Sequence, residues 1–229
     1  MLMIKSTDSS RLPLKKRMMT SGTKRPFRPI LNEEPKSIVT VNPPANKRAR
    51  ISQPSELATP TNFVHLVLKK QNIDEEEVAT KANTKFVPPT KKQLESYQKA
   101  SKALRDNDLK QLKELHESGM SLDCCNKFGD SLISIACRRG MTDIVKYLVE
   151  EAKVSLFVRD DFLRTPLHDA CWTAEPNFEI VETLLKVAPE LVVLRDSRGA
   201  TPFDYIRANH SKPWIEFLAK RRALLRPKE

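Results

Sequence analysis

Thr165-Pro166-Leu167-His168-Asp169-Ala170 is the stretch on which the fold turns. Thr165 suits a helix N-cap whose hydroxyl takes an orphan backbone N–H, and Pro166 sits at the first helical position, where its missing N–H costs nothing. Leu167 and Ala170 then fall on one face, and the small Ala170 lets a neighbouring helix approach closely. The same passage from turn into helix is written three times, over Asn126 to Ile133, Asp160 to His168 and Asp196 to Asp204. Its anchors, Ser131, Thr165 and Thr201, stand 34 and then 36 residues apart, each followed five residues later by Ala136, Ala170 or Ile206. Self-similarity at a fixed period is the mark of a stacked repeat fold.

The second half of each unit keeps its own register. Ile144, Val145, Leu148 and Val149 in one copy, and Ile180, Val181, Leu184 and Leu185 in the next, follow the i, i+1, i+4, i+5 spacing of a buried helical stripe. From Ile144 to Thr165, and again from Ile180 to Thr201, is 21 residues. The path from Ala136 to Ile144 takes eight residues and that from Ala170 to Ile180 takes ten, because Glu175-Pro176-Asn177 is inserted as a loop. Each unit is therefore a helix pair with one apolar side.

With the run from Thr165 to Ala170, the run from Arg198 to Pro202 and these apolar second helices, residues 91–223 resemble the ankyrin-repeat family, whose period is roughly 33 residues. Cys124-Cys125-Asn126, Ala136-Cys137-Arg138-Arg139-Gly140, and His168 to Trp172 ahead of Glu175 to Phe178 are also similar to the large ankyrin-repeat family of diatoms. The resemblance implies an all-α solenoid of about four helix pairs with short projecting turns. It also implies a structural hydrogen-bonding role for His168. The chain departs from the family pattern at Leu163, where a turn glycine is usual, and at Ser131-Leu132, which replaces Thr-Pro. A bulky residue in a left-handed turn costs about 1 kcal/mol, so this finger is expected to adopt a different turn.

Pro88-Pro89-Thr90 opens the ordered region, with Thr90 as N-cap and Leu94, Tyr97, Ala100, Ala103 and Leu104 at helical spacing behind it. Leu109, Leu112 and Leu115 carry a second helix that ends before Gly119. Pairs two and three follow Ser131 and Thr165, and pair four runs from Thr201 through Trp214 to Leu218. Its end, Lys220-Arg221-Arg222, suits a solvated terminal cap. The expected division is a disordered basic arm and linker over residues 1–87 and a repeat domain over residues 88–229.

The net charge of +11 is not shared evenly, because residues 1–60 hold 12 basic and 4 acidic side chains, while residues 91–229 hold 24 and 21. Rich in Pro, Ser, Thr and Lys and without apolar periodicity, the arm cannot bury enough surface to offset its ordering entropy. Within the linker, Phe63, Val64, Leu66, Val67 and Leu68 allow a short helix over residues 61–71, either a docking segment or a sticky disordered stretch. Lys47, Arg48 and Arg50 fit a basic nuclear import signal. With Phe27 the one aromatic before Phe63, nucleic-acid contact by the arm would be weak, nonspecific and salt-dependent. No stretch reaches the roughly 20 apolar residues that span a bilayer, so no membrane partner is expected. Nucleus or cytoplasm is the expected compartment, nucleus ahead; the base-rich first 30 residues leave a mitochondrial transit peptide as a lesser reading.

Catalytic chemistry finds little footing. Five glycines, at 22, 119, 129, 140 and 199, form no phosphate-cradling loop, and His65, His116, His168 and His210 show neither metal-ligand nor nucleophile–base spacing. Cys124-Cys125 are adjacent, and Cys137 and Cys171 hold equivalent repeat positions, so small buried side chains are expected, with no metal and no cofactor. The expectation is a non-catalytic binding module, an adaptor or scaffold for a protein partner, and a monomer. A nuclear regulatory factor whose arm touches nucleic acid is the alternative.

By the family's alignment, groove-facing positions fall four, seven and eight residues after each anchor. These are Ile135, Arg138 and Arg139, then Asp169, Trp172 and Thr173, then Tyr205, Ala208 and Asn209. Arg138, Arg139, Asp169, Trp172 and Tyr205 are the candidate partner-binding residues, since hot spots favour Trp, Tyr and Arg. Trp172 has a second reading, packing on the Glu175-Pro176-Asn177 insertion, and the arginines a second one as a solvated face. Phe128 and Phe162 at successive turn tips complete the set, either touching a partner or folding back on their neighbours. Reversing Arg138 and Arg139 together is expected to weaken binding without unfolding the stack.

Overall fold

The computed structural model describes residues 59–82 and 85–227. Residues 1–58 of the expected disordered arm, with the import signal Lys47, Arg48 and Arg50, lie outside the described residues. Among those described, the regular structure is helical, with a single isolated bridge between Cys125 and Ser131.

The repeats begin with α3 (Lys91–Arg105) and α4 (Leu109–Glu117). Thr90 caps α3 in a reciprocal box: its hydroxyl accepts the Gln93 N–H at 3.2 Å and the Gln93 side-chain oxygen accepts the Thr90 N–H at 3.0 Å. The second pair is α5 (Leu132–Arg138) and α6 (Thr142–Lys146), the latter continuing through a π-helical turn, Tyr147–Glu151. The third is α7 (Pro166–Cys171) and α8 (Phe178–Val187), followed by a 3-10 turn, Pro189–Val193. In the fourth, the first helix is replaced by two 3-10 turns, Pro202–Tyr205 and Ala208–His210, before α9 (Ser211–Lys220). The aromatic and β-branched run from Phe203 to Ile206 is a poor helix former, and Ile206 is extended at φ −72° and ψ 130°.

First helices stack in series, α3 on α5, α5 on α7 and α7 on the Pro202–Tyr205 turn, while α6 packs on α8. Ala100, Ala136 and Ala170 are fully buried along that series, where a larger side chain would hold the helices apart. Leu112, Leu148, Leu167 and Leu184 fill the layer between first and second helices and expose no surface, each stabilising the stack by about 2 kcal/mol.

The stack does not end at α9. The linker's apolar run forms α1 (Pro60–Lys70), started by Thr59, whose side chain accepts the Asn62 N–H, and by Pro60 at the first helical position. Its Phe63, Val64, Val67 and Leu68 are buried, and it packs on α9, on the Pro202–Tyr205 turn and on the C-terminal 3-10 turn Arg222–Leu225. Next, α2 (Glu75–Ala82) lies against Pro189–Val193, and Phe86 reaches the first finger at Gly129. The chain thus runs back along the stack from its C-terminal end to α3. The packed unit therefore starts at Pro60 rather than at the expected Pro88. Lys220, Arg221 and Arg222 are exposed, as expected of a solvated cap, but α9 is not the last layer, because α1 packs on it.

Candidate functional site

Each projecting turn is organised by one side chain. Asn126 Oδ1 accepts the N–H groups of Phe128 and Asp130 at 2.9 and 3.1 Å. Asp160 Oδ1 takes those of Phe162 and Arg164 at 2.9 and 2.8 Å, and Asp196 Oδ1 those of Arg198 and Ala200, both at 2.8 Å. These Asx turns replace the backbone partners that a tight loop cannot supply. Adjacent fingers are then joined, since the Asp161 N–H donates to the Phe128 carbonyl and the Ser197 N–H to the Phe162 carbonyl, both at 2.9 Å. The tips form a ladder with a fixed rung spacing.

Leu163 overturns the expectation of a different turn. It sits at φ +61° and still donates to the Asp160 carbonyl at 2.9 Å, as Gly129 and Gly199 do to Asn126 and Asp196 at 2.9 and 3.0 Å. The Asp160 frame, reinforced by Arg164 on its second oxygen, holds the finger in the shared conformation against the strain of the Leu side chain.

Phe128 and Phe162 stand at successive tips, 37% and 46% exposed. Each has a cation beside it: Lys127 Nζ lies 4.9 Å from the Phe128 ring centre, and the Arg164 guanidinium 5.2 Å from that of Phe162. Arg164 also lies 5.8 Å from the Trp172 ring, so it links tip to groove.

Behind the tips, the first helices bring the groove candidates together unequally. Arg138 donates to Asp130 and to Asp169, each at 2.9 Å, and Asp169 is only 3% exposed. Burial pushes the Asp169 carboxyl up to about 7 against the pull of Arg138 and Arg164. Asp169 is therefore not a docking side chain, and Arg138 is tied to the frame. The expectation that both arginines can be reversed without harm fails at Arg138, because Glu there would face two carboxylates. Arg139 is exposed and makes only a long contact, 3.4 Å, to the Arg105 carbonyl.

Trp172 is half-buried, edge-on to Tyr205 at 6.5 Å between ring centres. The insertion beside it is organised by its own bonds: Asn177 caps α8 and donates to Thr142, and Thr173 donates to the Glu175 carbonyl. The Tyr205 hydroxyl donates to Asp196 and accepts from Arg198, both at 2.7 Å; burial and Asp196 push it up to about 12. His168, wholly buried, accepts the Thr165 N–H and hydroxyl on Nδ1 at 3.1 and 2.9 Å, which leaves Nε2–H to donate to the Ala200 carbonyl at 3.2 Å. Burial holds its pKa down to about 4, so the ring is neutral and ties one repeat to the next.

A family model described as ankyrin repeats, in three copies, matches residues 100–221. The chain belongs to the ankyrin-repeat family. In this ankyrin-repeat protein the matched copies hold every candidate above, tips and groove alike. The eye-specific diacylglycerol kinase of Drosophila melanogaster is similar over one short stretch, 42% identical over 50 residues, which is 22% of this chain and 3% of the relative. A likeness confined to 3% of that relative's length concerns repeat sequence alone.

Among the described residues of the ankyrin-repeat protein, no group of three His, Cys, Asp or Glu side chains could hold a metal ion, and no helix is long and apolar enough to cross a membrane. The four cysteines are free thiols. Burial pushes Cys124 up to about 12 and Cys137 and Cys171 well above the ordinary thiol value, so they pack as neutral groups rather than react. Sequence reasoning missed Arg164, which links tip to groove, and placed Arg198 at a turn tip without its bonds to Asp196 and Tyr205. Their signal was present in Asn126, Asp160 and Asp196, which recur at the same 34- and 36-residue spacing as the helix anchors.

Proposed function

We propose that this chain is a non-catalytic protein-binding module, an adaptor or scaffold, whose partner docks on the finger ladder and the adjoining groove. The observation that carries the reading is the pair Phe128 and Phe162, aromatic rings 37% and 46% exposed on consecutive rungs that backbone bonds hold in register. Aromatic side chains on a rigid frame lose little entropy on docking, and ring-plus-cation chemistry is what interface hot spots favour. Trp172 and Arg139 extend the surface into the groove; Tyr205 contributes its ring edge while its hydroxyl serves Asp196.

The test compares full-length protein with Phe128→Ala/Phe162→Ala and with Arg139→Glu in capture from native lysate. The expected result is that one protein held by the wild type is lost from the tip variant and reduced with Arg139→Glu, while both variants unfold at the wild-type urea midpoint. Capture of the same protein by the tip variant at equal yield would sink the reading.

The balance of +8 over residues 1–60, from 12 basic and 4 acidic side chains, favours a second reading as a nuclear factor. In it Lys47, Arg48 and Arg50 direct import and the arm touches nucleic acid nonspecifically. Capture that vanishes on nuclease treatment, or on removal of residues 1–58, selects that reading instead.

A further inference from the structure

The C-terminal face of the stack, bounded by α9 and by the 3-10 turns Pro202–Tyr205 and Arg222–Leu225, is a seat for one amphipathic helix, and α1 of the same chain fills it. The seat takes the buried stripe Phe63, Val64, Val67 and Leu68. Polar contacts at its rim fix the orientation: the Thr61 hydroxyl donates to Asp204 at 2.7 Å, and the Arg222 guanidinium lies 5.6 Å from the Phe63 ring centre.

Several features of the segment that carries α1 favour its detachment. The second helix of the segment, α2, buries none of its residues fully. Beneath the α1–α2 turn lie two solvent-open cavities of about 650 and 810 Å³. The turn itself passes through Asn72 at φ +55°, a left-handed conformation that Asn tolerates with some strain. Further on, Val87 is 72% exposed and is followed by Pro88-Pro89, which have no N–H to bond to a neighbour. Sparse burial in α2 and open cavities beneath the turn mark the segment's weaker half, where a unit opens ahead of the rest of a structure.

We propose that residues 59–82 exchange between two copies of this chain, α1 of each copy docking on the C-terminal face of the other. A second copy carries the same helix, the same N-cap and the same stripe, so every contact of the closed chain is remade across the pair. Reciprocal exchange closes the pair and leaves no apolar end uncovered. Because the contacts are identical, the balance is set by protein concentration against the effective concentration of the tethered helix, on the order of mM. Pairing is therefore favoured wherever copies are gathered side by side. The seat meets the groove at the Pro202–Tyr205 turn, but linkage between positions 61 and 204 is read without any docked partner, so its test is independent of the docking reading above.

The experiment uses two full-length variants, Thr61→Cys and Asp204→Cys, each also carrying Cys125→Ser to remove the half-buried thiol. They are mixed, incubated, treated with a short bismaleimide and analysed by intact mass. The expected product joins one chain of each kind, rises with total concentration and is absent when either variant is treated alone. A single chain with both Thr61→Cys and Asp204→Cys is expected to link internally. Internal linking of that chain with no mixed product at about 1 mM shows that α1 stays at home and overturns the proposal. So does a double variant that links neither internally nor to a second copy, since α1 would then not occupy the seat. Equal linking by either variant alone would mean random collision and overturns it as well.

Discussion

Arg138 and Asp169 lie 31 residues apart in the chain and 2.9 Å apart in space, and the same guanidinium closes on Asp130 at 2.9 Å. One side chain thus neutralises a buried carboxylate from the next repeat and ties it to its own finger. The residue that sequence composition marks as a hot spot is spent on joining repeats.

Arg138→Ala should therefore destabilise the stack by about 3 kcal/mol, the cost of leaving a buried carboxylate without its partner. Asp169 has a folded pKa raised above its unfolded value, so its contribution is full at low pH and is lost as pH rises through about 7. Removing Arg138 raises that pKa further. The deficit of the variant should be largest above pH 7 and should shrink towards pH 5, which urea unfolding of both proteins at the two pH values measures. A pH-independent deficit below about 1 kcal/mol would class the pair with ordinary surface bridges.

His168 sets the acid limit. Its pKa is depressed from 6.5 to about 4, so the stability linked to it is present above pH 6.5 and lost as pH falls towards 4. The loss amounts to about 3 kcal/mol at 1.36 kcal/mol per unit. His168→Gln should be less stable at neutral pH and should show a flatter decline over that window. An unchanged slope in the variant would remove His168 from the account.

The fingers offer a matched set of substitutions. Gly129 and Gly199 both have positive φ, +78° and +81°, but a Cβ at Gly129 would lie 2.6 Å from the Arg159 carbonyl and 2.8 Å from the Phe86 ring, whereas one at Gly199 meets nothing within 4 Å. Gly199→Ala should cost about 1 kcal/mol from backbone conformation alone. Gly129→Ala should cost clearly more, because Phe86 and backbone must shift. Leu163→Gly should run the other way, relieving the φ +61° strain and stabilising the stack by up to about 1 kcal/mol. Chemical denaturation of the three variants orders them; equal costs at Gly129 and Gly199 would show that neither the Arg159 carbonyl nor Phe86 crowds that position.

What the sequence disclosed follows from what is local. Ser131, Thr165 and Thr201 mark helix starts through capping chemistry that needs only three or four neighbouring residues, and the stripes at Ile144 and Ile180 follow from helical geometry. The docking candidates were legible by register, which placed Arg138 and Asp169 on neighbouring helices but could not show that they face each other. Leu163 misled because an intrinsic backbone preference of about 1 kcal/mol is outweighed by the bonds that Asp160 makes to its own loop. The run Phe63, Val64, Leu66, Val67 and Leu68 left a short docking helix and a sticky disordered stretch equally open, because the seat that decides between them is built from residues beyond position 200, a separation no local pattern encodes.

That separation bears on how the molecule opens. Phe63 is buried under the Arg222 guanidinium, and in a cooperative core Phe63→Ala would cost about 3 kcal/mol. If α1 and α2 open as their own unit, the cost cannot exceed the free energy of that opening, and the loss is confined to the segment. Amide exchange should then speed up across residues 60–82 in the variant and stay at wild-type rates in α5 and α7. The repeats retain their own stacking, and the global unfolding midpoint should move little. A uniform loss of protection from α1 to α9 would instead mean that the returning helix is an integral last layer of the stack, without which the repeats do not hold.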